Sequence, residues 1–156
     1  MIFSFFYHVV CNLYRCLFFC FLFRILPIFT EILIFLNRVG LPDSYHKLKE
    51  SERAISWLLS MQCQSGGWAA FDVDNEKEIL NQVPFADHGA MLDPPTADVS
   101  GRVLWLLGQI GFNKDHLIVE KVIGFIKDRQ ESDGSWWGRW GVNYIYGSWL
   151  ALAGLA

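Results

Sequence analysis

Positive charge is scarce in this chain of 156 residues: 13 Lys and Arg stand against 16 Asp and Glu, a net charge of −3. That balance gives no basic surface of the kind that neutralises phosphates, so nucleic acid is not an expected partner. Cysteine is sparse as well. The four cysteines sit at 11, 16, 20 and 63, with no C-x-x-C pair or Cys/His spacing suited to zinc. Three of them fall in the first segment, so they describe no disulfide framework. After residue 37 no stretch shows a convincing alternation of apolar and polar residues with period two, which argues against a sheet-based domain.

The first 36 residues lack aspartate, glycine and tryptophan altogether. They hold nine of the thirteen Phe and only three charges, Arg15, Arg24 and Glu31. A membrane-spanning helix needs about 20 mostly apolar residues. The window 16–36 has that length but contains Arg24, Pro27 and Glu31, which makes it a poor span. A secretory signal needs a basic start, and Met1–Phe6 offers none. Membrane association and a foreign segment joined to a truncated domain are the stronger readings, a secretory signal the weakest. The chain thus divides into an apolar segment, 1–36, and a regular part, 37–156.

What the regular part does have is a repeat. Residues 54–68 and 122–136 align at an offset of 68: Trp57 falls on Phe125, Gln62 on Gln130, Gly66 on Gly134 and Trp68 on Trp136. Such a repeat marks modular architecture. Ala54, Trp57, Leu58 and Met61 share one face of a helix capped by Asp43 or Ser44 and running to about Cys63. Thr96 caps a second helix with Val99, Val103, Leu106 and Ile110 inward, stopped by Gly111. A third starts at Asn113 or Asp115 and ends at Asp133-Gly134-Ser135. A fourth runs from about Val142 to the end. Residues 69–95, rich in Pro and Asp, are too long for an ordinary connection and should be ordered or functional. The fold class is therefore all-α, built of successive helix pairs. In each repeated turn the Gly permits positive φ or close approach, the Gln amide can bond free groups at helix ends, and the Trp stacks on the turn and offers its indole N–H. The bland reading of the motif is a purely structural staple.

The pattern Q-x(3)-G-x-W, with an aromatic residue five positions before the Gln, resembles the QW motif of triterpene cyclases. The stretches Gly66–Asn75, Val83–Asp87, Asp93–Val99 and Asp133–Gly147 are similar to bacterial squalene–hopene cyclases, over roughly 36–156. The resemblance implies a partial (α/α) barrel, or toroid. It also implies the family's reaction, in which a protonating Asp of a D-x-D-D motif starts the cyclisation of squalene to pentacyclic triterpenes in hopanoid biosynthesis. That reaction is an isomerisation that needs neither metal nor organic cofactor. Aromatic faces hold the carbocations, and water exclusion protects them. The partners implied are squalene or a similar linear triterpene and the membrane surface, monotopically on the cytoplasmic face; a homodimer of the intact enzyme is compatible with it. A barrel cut open exposes inner helices, so a marginal fold is expected.

Residue by residue, Gln62, Gly66, Trp68, Gln130, Gly134 and Trp136 match the QW staples. Asp98 matches an acidic residue of the network around the catalytic acid, and Arg102 stands where some members carry a His that pairs with that acid. The bland alternative is an i, i+4 pair on a helix. Tyr146 matches a Tyr that orders the acid's surroundings. Phe71 and Trp140 match residues of the substrate cavity and cation path, although for Trp140 ordinary core remains open. Arg139 reads as structural, and His88 as a surface loop residue. Asp72-Val73-Asp74-Asn75 imitates the acid motif, but in the family that motif lies upstream of the preceding helix. The corresponding position here falls before Leu36, where the only carboxylate is Glu31. An EF-hand reading of 72–76 fails because Lys77 replaces the required Gly. Two other readings stand beside the cyclase: a non-catalytic membrane-associated remnant or interaction module, and, last, a prenyltransferase β-subunit, whose Asp/Cys/His zinc set does not stand out.

Overall fold

The computed structural model describes residues 30, 34, 49–77 and 92–156. The expectations placed on Asp43, Ser44, His88, 83–87 and nearly all of 1–36 lie outside the described residues. Four helices follow in order: α1 Lys49–Ser60, α2 Ala97–Gln109, α3 Leu117–Asp128 and α4 Asn143–Leu155. The chain is all-α. Among the described residues, β-pairing is confined to the isolated bridges Gln62–Trp68 and Asn75–Asp93. No described helix is long and apolar enough to cross a membrane.

The helix boundaries have local causes. α2 ends in a Schellman turn: Phe112 N–H donates to the Leu107 carbonyl and Gly111 N–H to Gly108, with Gly111 at φ 95°, a conformation that favours glycine. At the start of α2, Thr96 occupies the N-cap position with extended backbone, yet its side chain makes no capping bond. The Thr96 hydroxyl is buried and finds no partner among the described residues. α3 begins later than the sequence suggests. Asn113 closes a small turn by accepting from Asp115 N–H at 3.2 Å, and His116 caps the helix through Nδ1, which accepts from Ile118 N–H at 3.3 Å. The Asn113 side chain bonds more favourably outside a helix than within one, so the helix waits for His116.

α2 is the hub and packs against both α3 and α4. Val103, Leu106 and Leu107 meet Leu58, Trp68, Val122 and Ile126 in one core, each fully or almost fully buried. Ile34 reaches the same core. Gly101 lets α2 and α4 touch backbone to backbone: a β-carbon there would lie 2.5 Å from the Leu150 carbonyl oxygen. α4 carries no charge at all. It buries Gly147, Leu150 and Ala151 and leaves Ile145, Trp149 and Leu152 exposed on another face, with the exposed Val142 at its N-cap.

The two repeated turns bind themselves in the same way. Gln62 Nε2 donates to the Gly66 carbonyl at 2.8 Å, and Gln130 Nε2 to Gly134 at 2.9 Å. Trp68 Nε1 donates to the Leu58 carbonyl and Trp136 Nε1 to Ile126, both at 2.7 Å and both ten residues back. Each Trp ring thereby closes the last turn of its helix, adding a second donor to a carbonyl that otherwise accepts only from the backbone N–H three residues on, of Met61 or Arg129.

Candidate functional site

Two carboxylates frame the start of α2. Asp98 lies in its first turn and is 1% exposed, where the positive end of the helix favours an anion. Its Oδ1 accepts from Val99 N–H at 2.9 Å. Its Oδ2 accepts from Trp140 N–H at 3.1 Å and so ties down the loop before α4. One turn along, the buried Arg102 donates from Nη2 to the Tyr146 hydroxyl. The guanidinium sits 5.7 Å from the Tyr146 ring centre. Asp98, Val99, Arg102, Trp140 and Tyr146 line one recess. About 10 Å3 of it is open to the centre of a water molecule, close to the minimum for one ordered water.

At the mouth of the recess Phe71 and Trp140 meet edge to face, with ring centres 5.5 Å apart and planes at 75°. Both rings are partly open to solvent, Trp140 at 45%. Arg139 stacks near the same indole at 5.7 Å and donates to the Leu92 carbonyl at 3.1 Å. It thereby joins the loop before α4 to the segment before α2.

The family comparisons span this recess together with the rest of the helical part. Residues 29–156 match the squalene-hopene cyclase C-terminal domain. The chain belongs to that family. It is 53% identical over 117 residues to a squalene-hopene cyclase of Schizosaccharomyces japonicus, covering 75% of this chain and 17% of that protein. A squalene–hopene cyclase of Zymomonas mobilis is 48% identical over 116 residues, 74% of this chain and 18% of the relative. A dammaradiene synthase of Dryopteris crassirhizoma is 40% identical over 134 residues, 80% and 20% respectively. The chain spans about a fifth of the length of these relatives or less.

Within this cyclase domain the acid-like tetrad after the first turn has local duties. Asp74, at φ 54°, accepts from Gln64 N–H at 2.9 Å. Asp72 accepts from the Asn75 side chain at 3.3 Å. Both carboxylates are exposed. Of the site residues expected from the sequence, Asp98, Arg102, Tyr146, Trp140 and Phe71 come together. Gln62, Gly66 and Trp68 lie at the junction of α1 and α3, and Gln130, Gly134 and Trp136 at the turn after α3.

Three anchors carried no role in the sequence reading. Ser100 Oγ accepts from Trp68 N–H at 2.9 Å, and Ser148 Oγ accepts from Trp136 N–H at 3.0 Å. Asp93, 5% exposed, accepts from three backbone N–H groups: Ala70 at 3.2 Å, Asp72 at 2.7 Å and Phe71. Its burial explains the three partners, since a carboxylate is rarely buried without them.

Proposed function

We propose that this chain contributes one wall of a triterpene-cyclising cavity and does not itself start the reaction. The observation that carries the proposal is the convergence of Asp98, Arg102, Tyr146 and Trp140 on one recess. A carboxyl group brought to it would face the Arg102 cation and the Tyr146 hydroxyl. A nearby cation favours the ionised carboxylate, which makes the protonated form a stronger acid, as alkene protonation demands. Phe71 and Trp140 then offer ring faces and edges beyond the acid; an aromatic face attracts a cation without attacking it. In this reading Asp98, Arg102 and Tyr146 are positioning groups, and Phe71 and Trp140 border the cation path. The recess holds about one water, so a linear triterpene needs further walls. The products named for the relatives differ, so this reading commits to no single polycycle.

The purified chain incubated with squalene should yield no hopene or other polycycle in the extracted lipids. Cyclised product above a heat-inactivated control would overturn that half of the proposal. The wall itself is tested with dodecyltrimethylammonium, a cation on an apolar tail. In protein labelled with 5-fluorotryptophan, the 19F resonance of Trp140, assigned through Trp140→Phe, should move on titration while that of Trp68 stays. A Trp140 resonance indifferent to the cation would count against the cation-path reading. A second reading, a membrane-associated remnant, draws support from the exposed apolar stripe Val142, Ile145, Trp149 and Leu152. It predicts flotation with phosphatidylglycerol vesicles that Ile145→Glu abolishes.

A further inference from the structure

Asp93 sits outside the recess, yet its geometry governs one side of it. Its side chain is buried, and its two oxygens take the N–H groups of three successive residues, 70, 71 and 72. Its own N–H donates to the Asn75 carbonyl at 3.0 Å. The loop 70–75 is thus wrapped around a single carboxylate. Successive N–H groups converging on an anion form a nest, and each such bond is charge-assisted and stronger than a neutral one. Phe71 is the central residue of the three. Its ring is the one that meets Trp140 edge to face.

The other side of the pair is held in the same manner. Asp98, five residues on, grips the Trp140 N–H. Pro94 and Pro95 lie between the two carboxylates and α2 begins at Ala97, so a stiff, short stretch sets their separation. One rigid element therefore carries two anchors for two loops, and the loops bring their rings together.

We propose that Asp93 is a positioning residue of the aromatic wall: its carboxylate, through the backbone of residues 70–72, sets Phe71 against Trp140. The consequence for cyclisation rests on the wall reading given above; the coupling of Asp93 to Trp140 does not. Substituting Asn leaves the volume unchanged but turns an NH2 group toward at least one of the three N–H donors. Asp93→Ala leaves all three without an acceptor.

The test uses the full chain labelled with 5-fluorotryptophan. Phe71→Leu defines where the Trp140 19F resonance goes when the ring is lost. Asp93→Asn should move the Trp140 resonance part of the way to that position and Asp93→Ala further, while Trp68 and Trp136, held by their own turns, keep theirs. A Trp140 resonance unmoved in both variants would overturn the proposal, as would equal shifts of all the tryptophans in variants that remain folded. Should both Asp93 variants fail to fold, amide hydrogen exchange of the unsubstituted chain decides. Residues 70–72 must then exchange slowly and as a group; fast exchange there overturns the proposal. The ammonium titration keeps the two ideas apart. A Trp140 that follows Asp93 but ignores the cation upholds the positioning role and removes the cation path.

Discussion

The turns at 62–68 and 130–136 are built alike, and within residues 1–156 the first of them rests on a later helix. Their internal bonds agree closely, down to Cys63 N–H on the Gly67 carbonyl at 2.9 Å and Glu131 N–H on Ser135 at 2.8 Å. Their surroundings do not agree. Gln62 reaches a second carbonyl, Ile118 in the first turn of α3, at 3.1 Å. Gly66 lies under the backbone of Lys121, and Gly67 against the Phe125 ring. At the second turn Gln130 is exposed, a β-carbon on Gly134 would meet nothing closer than the Gln130 amide at 3.8 Å, and Ser replaces the second Gly. The internal hydrogen bonds are therefore the part the two turns share, and the contacts with α3 are those of the first turn; at the same offset the counterparts of Ile118, Lys121 and Phe125 would fall beyond residue 156. At the first turn, glycine at the second of the two positions leaves the space that the Phe125 ring fills.

The sharpest break of this likeness is at the glycines. Gly66 and Gly134 have similar φ, 94° and 87°, so alanine carries the same left-handed penalty at both, about 1 kcal/mol. Only at Gly66 does the new β-carbon also strike backbone, 2.6 Å from the Lys121 oxygen. Overpacking of that kind costs roughly 1–3 kcal/mol more. Gly66→Ala should lower the urea midpoint far more than Gly134→Ala. Equal losses would mean that α3 does not rest on the first turn.

A smaller gap is expected at the glutamines. Removing Gln62 breaks two bonds in a half-buried place and should cost about 1–2 kcal/mol, whereas Gln130→Ala loses one exposed bond and about 0.5–1 kcal/mol. A double-mutant cycle would sharpen the comparison, with Gln62→Ala set against a change at Ile118. Its coupling is weak by design, because the acceptor is the Ile118 backbone. The better readout is hydrogen exchange at the start of α3, which should quicken in Gln62→Ala and stay unchanged in Gln130→Ala.

How far these features could be read in the sequence follows from the reach of the interactions. Helices α2 and α4 and the stop at Gly111 were legible, because apolar spacing and turn chemistry act over a few residues. The start of α3 was misplaced because three cap-forming residues, Asn113, Asp115 and His116, stand close together, and only their competition for the backbone selects His116. Thr96 stood at the right position, yet its hydroxyl does not cap. The meeting of Arg102 with Tyr146 spans 44 positions, and no spacing rule reaches that far; the resemblance to a family named the residues, and packing of α2 on α4 brings them together. Asp93 stayed silent for the same reason, its three donors lying more than twenty residues upstream.

The finest difference between the two turns is their response to pH, and it has opposite signs. Burial pushes the Cys63 thiol above its ordinary value of 9.0, since a thiolate is poorly solvated there. The folded chain then binds the proton more tightly than the unfolded one. Its stability is intact below about pH 9 and falls as pH rises toward the elevated value. At the second turn Asp133 accepts from the Ser135 hydroxyl at 2.6 Å and from Ser135 N–H at 3.0 Å. These bonds hold its carboxyl below the ordinary 3.8. That contribution is present above the ordinary value and is lost as pH falls through the lowered one. The alkaline arm of a urea-midpoint profile should flatten in Cys63→Ala and be untouched by Asp133→Asn. In acid the Ser135 amide shift should titrate below 3.8 and cease to do so in Asp133→Asn. A Ser135 midpoint at or above 3.8 would separate that carboxylate from the turn and leave the second staple to its backbone bonds, Gln130, Trp136 and Ser148.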